Sequence, residues 1–244
     1  MFLAFTLILF SCKKTPEASF FVDTTEPEVG KPVLFTNTSH NGDRYEWDFG
    51  DGYISNESDP THSYTTTGSY DVTLTAISKG NLSSSSSLTL NVLTPSLLVI
   101  EVREYYSGDL IPDASIILYS TLADWDAQTN KVVEAFTDKY GVAVFANMDP
   151  GTYFVDVWEA THDNYTLANE DVGFIQTPIV LDHKTTFFEA LVDVATHSSG
   201  VIRGSHGMVK KSLGRKAFDR QQSKYSGTDN WQELYSRSVK KQVK

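Results

Sequence analysis

The chain has one cysteine, Cys12, which excludes any disulfide within it. It has no apolar run long enough for a membrane-spanning helix, the longest candidate being the short leader of residues 1–11. Basic residues are scarce outside the C-terminal end. Residues 199–244 hold 11 Lys+Arg and 3 Asp+Glu, a charge of +8, while the rest of the chain holds 9 and 28, a charge of -19. An acidic body argues against nucleic acid as a partner, because neutralising phosphates needs clustered cations. Catalytic signatures are missing as well. There is no Gly-x-Ser-x-Gly, no His-Glu-x-x-His and no glycine-rich phosphate loop. The lone cysteine sits in the leader, which removes a cysteine nucleophile from the body, and the six histidines lack zinc spacing. The sequence therefore assigns no catalytic residue, no metal ligand and no cofactor.

What is present is β-structure. At 244 residues, with 40% hydrophobic and 12% aromatic content, the chain suits two domains with cores of their own. In Tyr45-Glu46-Trp47-Asp48-Phe49 the aromatic and acidic residues alternate, which predicts a strand with one buried aromatic face; Asp51-Gly52 then supplies a turn signal. Gly68, Tyr70, Val72 and Leu74 predict a second alternating strand. Lys79-Gly80-Asn81 predicts a hairpin, and serines 83–87 the polar start of an edge strand. Asp43, Asp48, Asp51 and Asp59 cluster around the Trp47 strand, but without the spacing of a calcium loop, so they are read as turn acceptors. His62 is read as a hydrogen-bonded structural residue.

These residues also carry a resemblance. Trp47-Asp48-Phe49-Gly50-Asp51-Gly52, Pro60, His62, Tyr64, Gly68, Tyr70 and Val72-Thr73-Leu74 resemble the signature of PKD domains, immunoglobulin-like modules of surface and secreted proteins. The resemblance spans residues 18–93 and implies a β-sandwich.

Thr94-Pro95-Ser96 marks a boundary, since proline cannot continue a central ladder. Strands are predicted at 97–102, 142–145, 152–157 and 185–194, with a turn feeding a further strand over 112–119 and turns at 137–141 and 148–151. Ala114, Ile116, Leu118, Thr137-Asp138, Gly141, Phe145, Pro150-Gly151 and Tyr153 resemble the carboxypeptidase-regulatory-like, transthyretin-like sandwich, which is expected over residues 97–194. The inserted 121–130 segment is similar to a loop in versions from Bacteroidetes lipoproteins. Relatives of this family close an internal Lys–Asn isopeptide bond, but residues 97–102 contain no lysine to make one.

The leader ends Leu9-Phe10-Ser11-Cys12 and resembles a bacterial lipobox, in which the cysteine thiol receives the lipid. Residues 1–12 are thus expected to be a lipoprotein signal with its lipidated Cys12, tethering the chain to the cell outer membrane. The basic tail, 198–244, is expected to be flexible chain closed by a short helix. Asp229 would cap that helix, and Trp231, Leu234, Tyr235, Val239 and Val243 share one face, which fits a membrane or partner surface or packing on a sandwich.

The fold class that follows is all-β, two sandwiches in series. The function that follows is binding or adhesion, with an envelope protein or glycan as ligand. The alternative is an accessory subunit of an outer-membrane complex docked by the tail. Trp125, in a polar insertion, and Trp158 and Tyr165, flanking the 159–178 connection, are the candidate binding anchors, the alternative for Trp125 being that it covers its own domain's sheet.

Overall fold

A computed structural model describes residues 14–168, 171–194 and 230–241. Cys12 and Asp229 lie outside these residues, as does most of the basic tail. The chain divides into two compact units, Met1–Leu93 and Thr94–Lys244. Both are built of sheets, and the all-β class is that expected from the alternating pattern.

In the first unit a three-stranded sheet holds β1 (Phe20–Val22), β2 (Val33–Asn37) and β5 (Thr61–His62). A four-stranded sheet holds, in order, β4 (Ile54–Ser55), β3 (Arg44–Asp48), β6 (Gly68–Ile77) and β7 (Ser83–Val92). Between them lie Val33, Phe35, Trp47, Phe49, Tyr64, Val72, Leu74 and Leu90, all buried. Trp47 is the centre of this core. Phe20 and Phe35 meet its ring edge-on at 5.0 and 5.6 Å, and its indole N–H donates to Glu57 O at 3.0 Å, so its polar end is satisfied.

The turn after β3 is fixed by backbone conformation. Gly50 has φ +79°, and a Cβ there would lie 2.8 Å from Asp71 O. Only glycine fits both the angle and the space. The aspartates of this region each serve a separate partner. Asp48 Oδ1 accepts from Gly50 N and Asp51 Oδ1 from Tyr53 N, while Asp59 Oδ1 accepts from Asn37 N. His62 lies 2.7 Å from the second oxygen of Asp51 and stacks on Phe49 at 4.3 Å, a structural role. Tyr64 donates to Phe49 O, and burial pushes its phenol well above the usual range.

The second unit is one seven-stranded sheet folded over on itself. Its order is β10 (Val133–Phe136), β9 (Ser115–Tyr119), β12 (Phe154–Glu159), β13 (His162–Asp163), β14 (Thr185–Val194), β8 (Leu97–Glu104) and β11 (Val142–Ala146). The short β13 is the fold line joining the two halves. Alternate residues fill the interior: Leu98, Ile100 and Val102; Ile116 and Leu118; Val155 and Val157; Ala190 and Val192. β14 and β8 run parallel, and every other pairing is antiparallel. The buried Thr137 hydroxyl accepts from Ala114 N and donates to Ile111 O, which ties the start of β9 to the turn after β10.

Residues on the opposite side of each strand must be covered or left wet. The outer face of the β14–β8–β11 half is covered by α3 (Trp231–Lys241). Leu234 is buried there among Leu97, Val99, Val142 and Val144, with Trp231 and Tyr235 packed beside it. Asp138 and Arg237 form an ion pair at the helix flank. The cap is Asn230, whose Oδ1 accepts from Gln232 N at 3.1 Å. The tail helix therefore turns its described apolar residues onto its own sandwich rather than to a membrane or partner. The physical reason is an apolar stripe on the outer sheet face that needs a cover of its own.

Candidate functional site

The other outer face, on β10, β9 and β12, carries the aromatic residues singled out above. Strand alternation places Ser115, Ile117 and Tyr119 on this side of β9, and Phe154, Asp156 and Trp158 on this side of β12. Glu134 and Phe136 join them from β10.

One end of the face is closed. The 121–130 insertion forms α1 (Leu122–Ala127), capped by Thr121, whose hydroxyl accepts from Asp124 N. Hydrogen bonds from Thr121, then Asn130, hold the Asp124 carboxyl below its ordinary value. α1 drops Trp125 onto the sheet at 6% exposure, where its indole N–H donates to Val155 O at 3.1 Å. Tyr165 opens α2 (Tyr165–Ala168) and lies nearly parallel to that indole at 5.6 Å. Burial, and after it the charge of Asp126, raises the Tyr165 phenol. Asn164, fully buried, bridges the ladder by accepting from Val157 N and donating to Val155 O.

Trp125 is thus no exposed anchor: it packs with Tyr119 and Ile175 in a small second core, and Tyr165 flanks it. Of the two readings of Trp125, the structure has it cover its own sheet, and Tyr165 stands half-buried beside it. A Trp in a polar insertion has no partner visible in sequence, but α1 folds it onto an apolar patch that only the sheet creates.

The other end of the face is left open by the described residues. Trp158 is 51% exposed and Phe136 52%. Both are in register with Ser115, on its two sides, so they stand roughly 10 Å apart at two strand spacings. Asp163 continues the same row beyond Trp158. Ser115 donates to Glu134 Oε1 at 2.9 Å, and Lys131 holds Glu134 Oε2 at 2.9 Å. These bonds, Lys131 first, keep the Glu134 carboxyl ionised to lower pH than usual. At the strand end Glu159 accepts from Thr161 N, from the Thr161 hydroxyl and from His162. The Thr161 amide is the first cause, and the Glu159 pKa falls to about 2.

Chemically this end offers two half-exposed aromatic side chains beside a carboxylate, Glu134, that hydrogen bonds hold in place. The structure keeps Trp158 at this end, removes Trp125 and Tyr165 from it, and adds Phe136, Ser115 and Glu134. The added residues were hard to find, since alternation gives a side chain's face but not which face stays uncovered.

The first unit is an immunoglobulin-like β-sandwich module organised on a buried Trp. Comparison with known proteins names it. Residues 13–92 match the family model of the PKD domain. The chain is 44% identical over 73 residues to the pre-pro-metalloprotease PrtV of Vibrio cholerae serotype O1, covering 28% of this chain and 8% of that protein. It is 33% identical over 101 residues to collagenase ColA of Clostridium perfringens, covering 39% and 8%. The solved PKD1 domain of Vibrio anguillarum Epp is similar at 34% identity, covering 34% of this chain and 99% of that domain, with a TM-score of 0.31. Residues 13–92 are therefore a PKD domain. The chain spans 8% of the length of the curated relatives it matches.

Proposed function

We propose that this chain is an exported bacterial lipoprotein, lipid-anchored at Cys12 in the outer membrane, that binds an envelope glycan or protein without catalysing a reaction. In this reading the PKD domain is followed by a carboxypeptidase-regulatory-like sandwich, and the second sandwich presents the ligand site. Support for the anchor is the Leu9-Phe10-Ser11-Cys12 run. Support for the second family is the Thr137-Asp138 turn tied to the start of β9, with Gly141 at φ +68° closing it.

The observation that carries the binding site is the half-exposed pair Trp158 and Phe136 flanking Ser115, on a face whose other end is closed by α1. Large aromatics at such exposure, above ordered polar acceptors, suit a sugar ring or a flat peptide side chain. Titration of the full chain with soluble cello-, chito- and peptidoglycan-derived oligosaccharides, followed by tryptophan fluorescence, tests it. Trp158→Ala is expected to weaken binding at least about tenfold with an unchanged urea midpoint. Equal binding by the variant and the parent refutes the site. Replacing Cys12 by Ser is expected to abolish incorporation of labelled palmitate.

The second reading, an accessory subunit docked on an outer-membrane complex, draws on the +8 charge of residues 199–244. A chain ended at Val194 that still assembles with such a complex removes it.

A further inference from the structure

Among the described residues, the last strand of the PKD domain has an open side. β7 pairs with β6 along Ser83–Val92, and antiparallel geometry turns alternate amides away from the partner strand. Asn91 N donates to Thr25 O, and Leu93 N to Pro27 O, so the odd-numbered residues face outward and residues 25–29 shield that end. Further up, the backbones of Ser83, Ser85, Ser87 and Thr89 have no hydrogen-bond partner on that side among the described residues, and all are exposed.

Natural edges of this length are blunted by charge, proline or a bulge. Ser83–Val92 contains no charged residue and no proline, and its register with β6 runs without a break. Where β7 meets β6, the outer face is a ladder of hydroxyl pairs. Thr73 meets Ser87 and Thr75 meets Ser85, each at 2.9 Å, and Thr89 donates to Asp71 at 2.6 Å.

We propose that this edge pairs with the same edge of a second copy, joining two PKD domains through one continuous antiparallel sheet. A twofold axis at Ser86 sets Ser85 opposite Ser87 of the other copy and Ser83 opposite its Thr89. Every outward amide and carbonyl then pairs, giving about eight backbone hydrogen bonds. Hydroxyl again meets hydroxyl, as in the Thr–Ser pairs already made with β6. The nearest acidic group on this face, Asp71, is in register with Thr89. The two copies of Asp71 then lie six residues apart along the strand, about 20 Å, beyond a screening length of about 8 Å at physiological salt. The acidic character of the domain does not oppose this contact.

Sedimentation velocity of the full chain in dilute non-ionic detergent, over about a hundredfold range of concentration, tests the pairing. A concentration-dependent dimer is expected, with amide exchange at Ser85 and Ser87 slowed only where the dimer forms. The double variant Ser85→Lys, Ser87→Lys puts like charges directly opposite and is expected to raise the dissociation constant at least about tenfold. Ser87→Pro, which removes an outward N–H and spares the β6 ladder, is expected to act the same way. A monomer throughout, a dimer that tolerates the double lysine variant, or protection of these amides only by a co-purified peptide overturns the proposal.

Discussion

Gly50 and Gly52 stand two residues apart in the same turn, yet they answer to different constraints. Both have positive φ, +79° and +94°, but a Cβ at Gly50 meets Asp71 O at 2.8 Å while one at Gly52 meets nothing within 4 Å. Gly52→Ala is expected to cost only the left-handed backbone, about 1–2 kcal/mol. Gly50→Ala adds displacement of the β6 backbone and is expected to cost more, measured as a larger drop in the urea midpoint of the PKD domain. Glu159 supplies a pH dependence at the same scale. Its folded pKa, about 2, lies below the ordinary value of 4.5, so ionised Glu159 favours the fold above pH 4.5. That contribution is lost as pH falls from about 4.5 towards 2. Glu159→Gln is expected to flatten the acid limb of stability over this window, read by thermal melts between those pH values. An equally steep limb in the variant would mean that the Thr161 and His162 bonds add nothing.

At the scale of elements, α1 and α3 do the same thing on opposite faces. Each brings an aromatic or aliphatic side chain, Trp125 or Leu234, onto a strip of sheet that would otherwise meet water. Leu234→Ala empties a buried site and is expected to cost about 2–5 kcal/mol in the second unit, with α3 losing protection from exchange. Asp138 reports the same contact. Burial raises its carboxyl, but Arg237 and the amides of Tyr140 and Val142 outweigh that and hold it low. The strands carrying these strips were legible, because residues such as Ile116 and Leu118 alternate with outward ones. α1 was not read as a helix, although Thr121 followed three residues later by Asp124 is a capping signal. Six residues are too few for a helical period to show. β13 and Asn164 were lost in the 159–178 connection for a related reason. Two residues of strand have no pattern, and their place is set by the strands on either side.

For the molecule as a whole, the sequence by itself determined the all-β class, the PKD signature, the hairpins at 79–81 and 137–141, and the split between an acidic body and a basic end. Those properties are written in short-range order: period-2 alternation, turn residues and local charge. The tertiary structure alone decided which aromatics are core and which are surface. Trp125 and Trp158 look alike along the chain, but one is folded under α1 and the other stands beside Ser115 on the uncovered end. It also decided where Trp231, Leu234 and Tyr235 of the tail helix go, and which side of β7 the described residues leave unpaired. Exposure depends on what lies across the sheet from a residue, and the neighbours that settle it, Val155 for Trp125 or Leu97 and Val144 for Leu234, are distant in sequence.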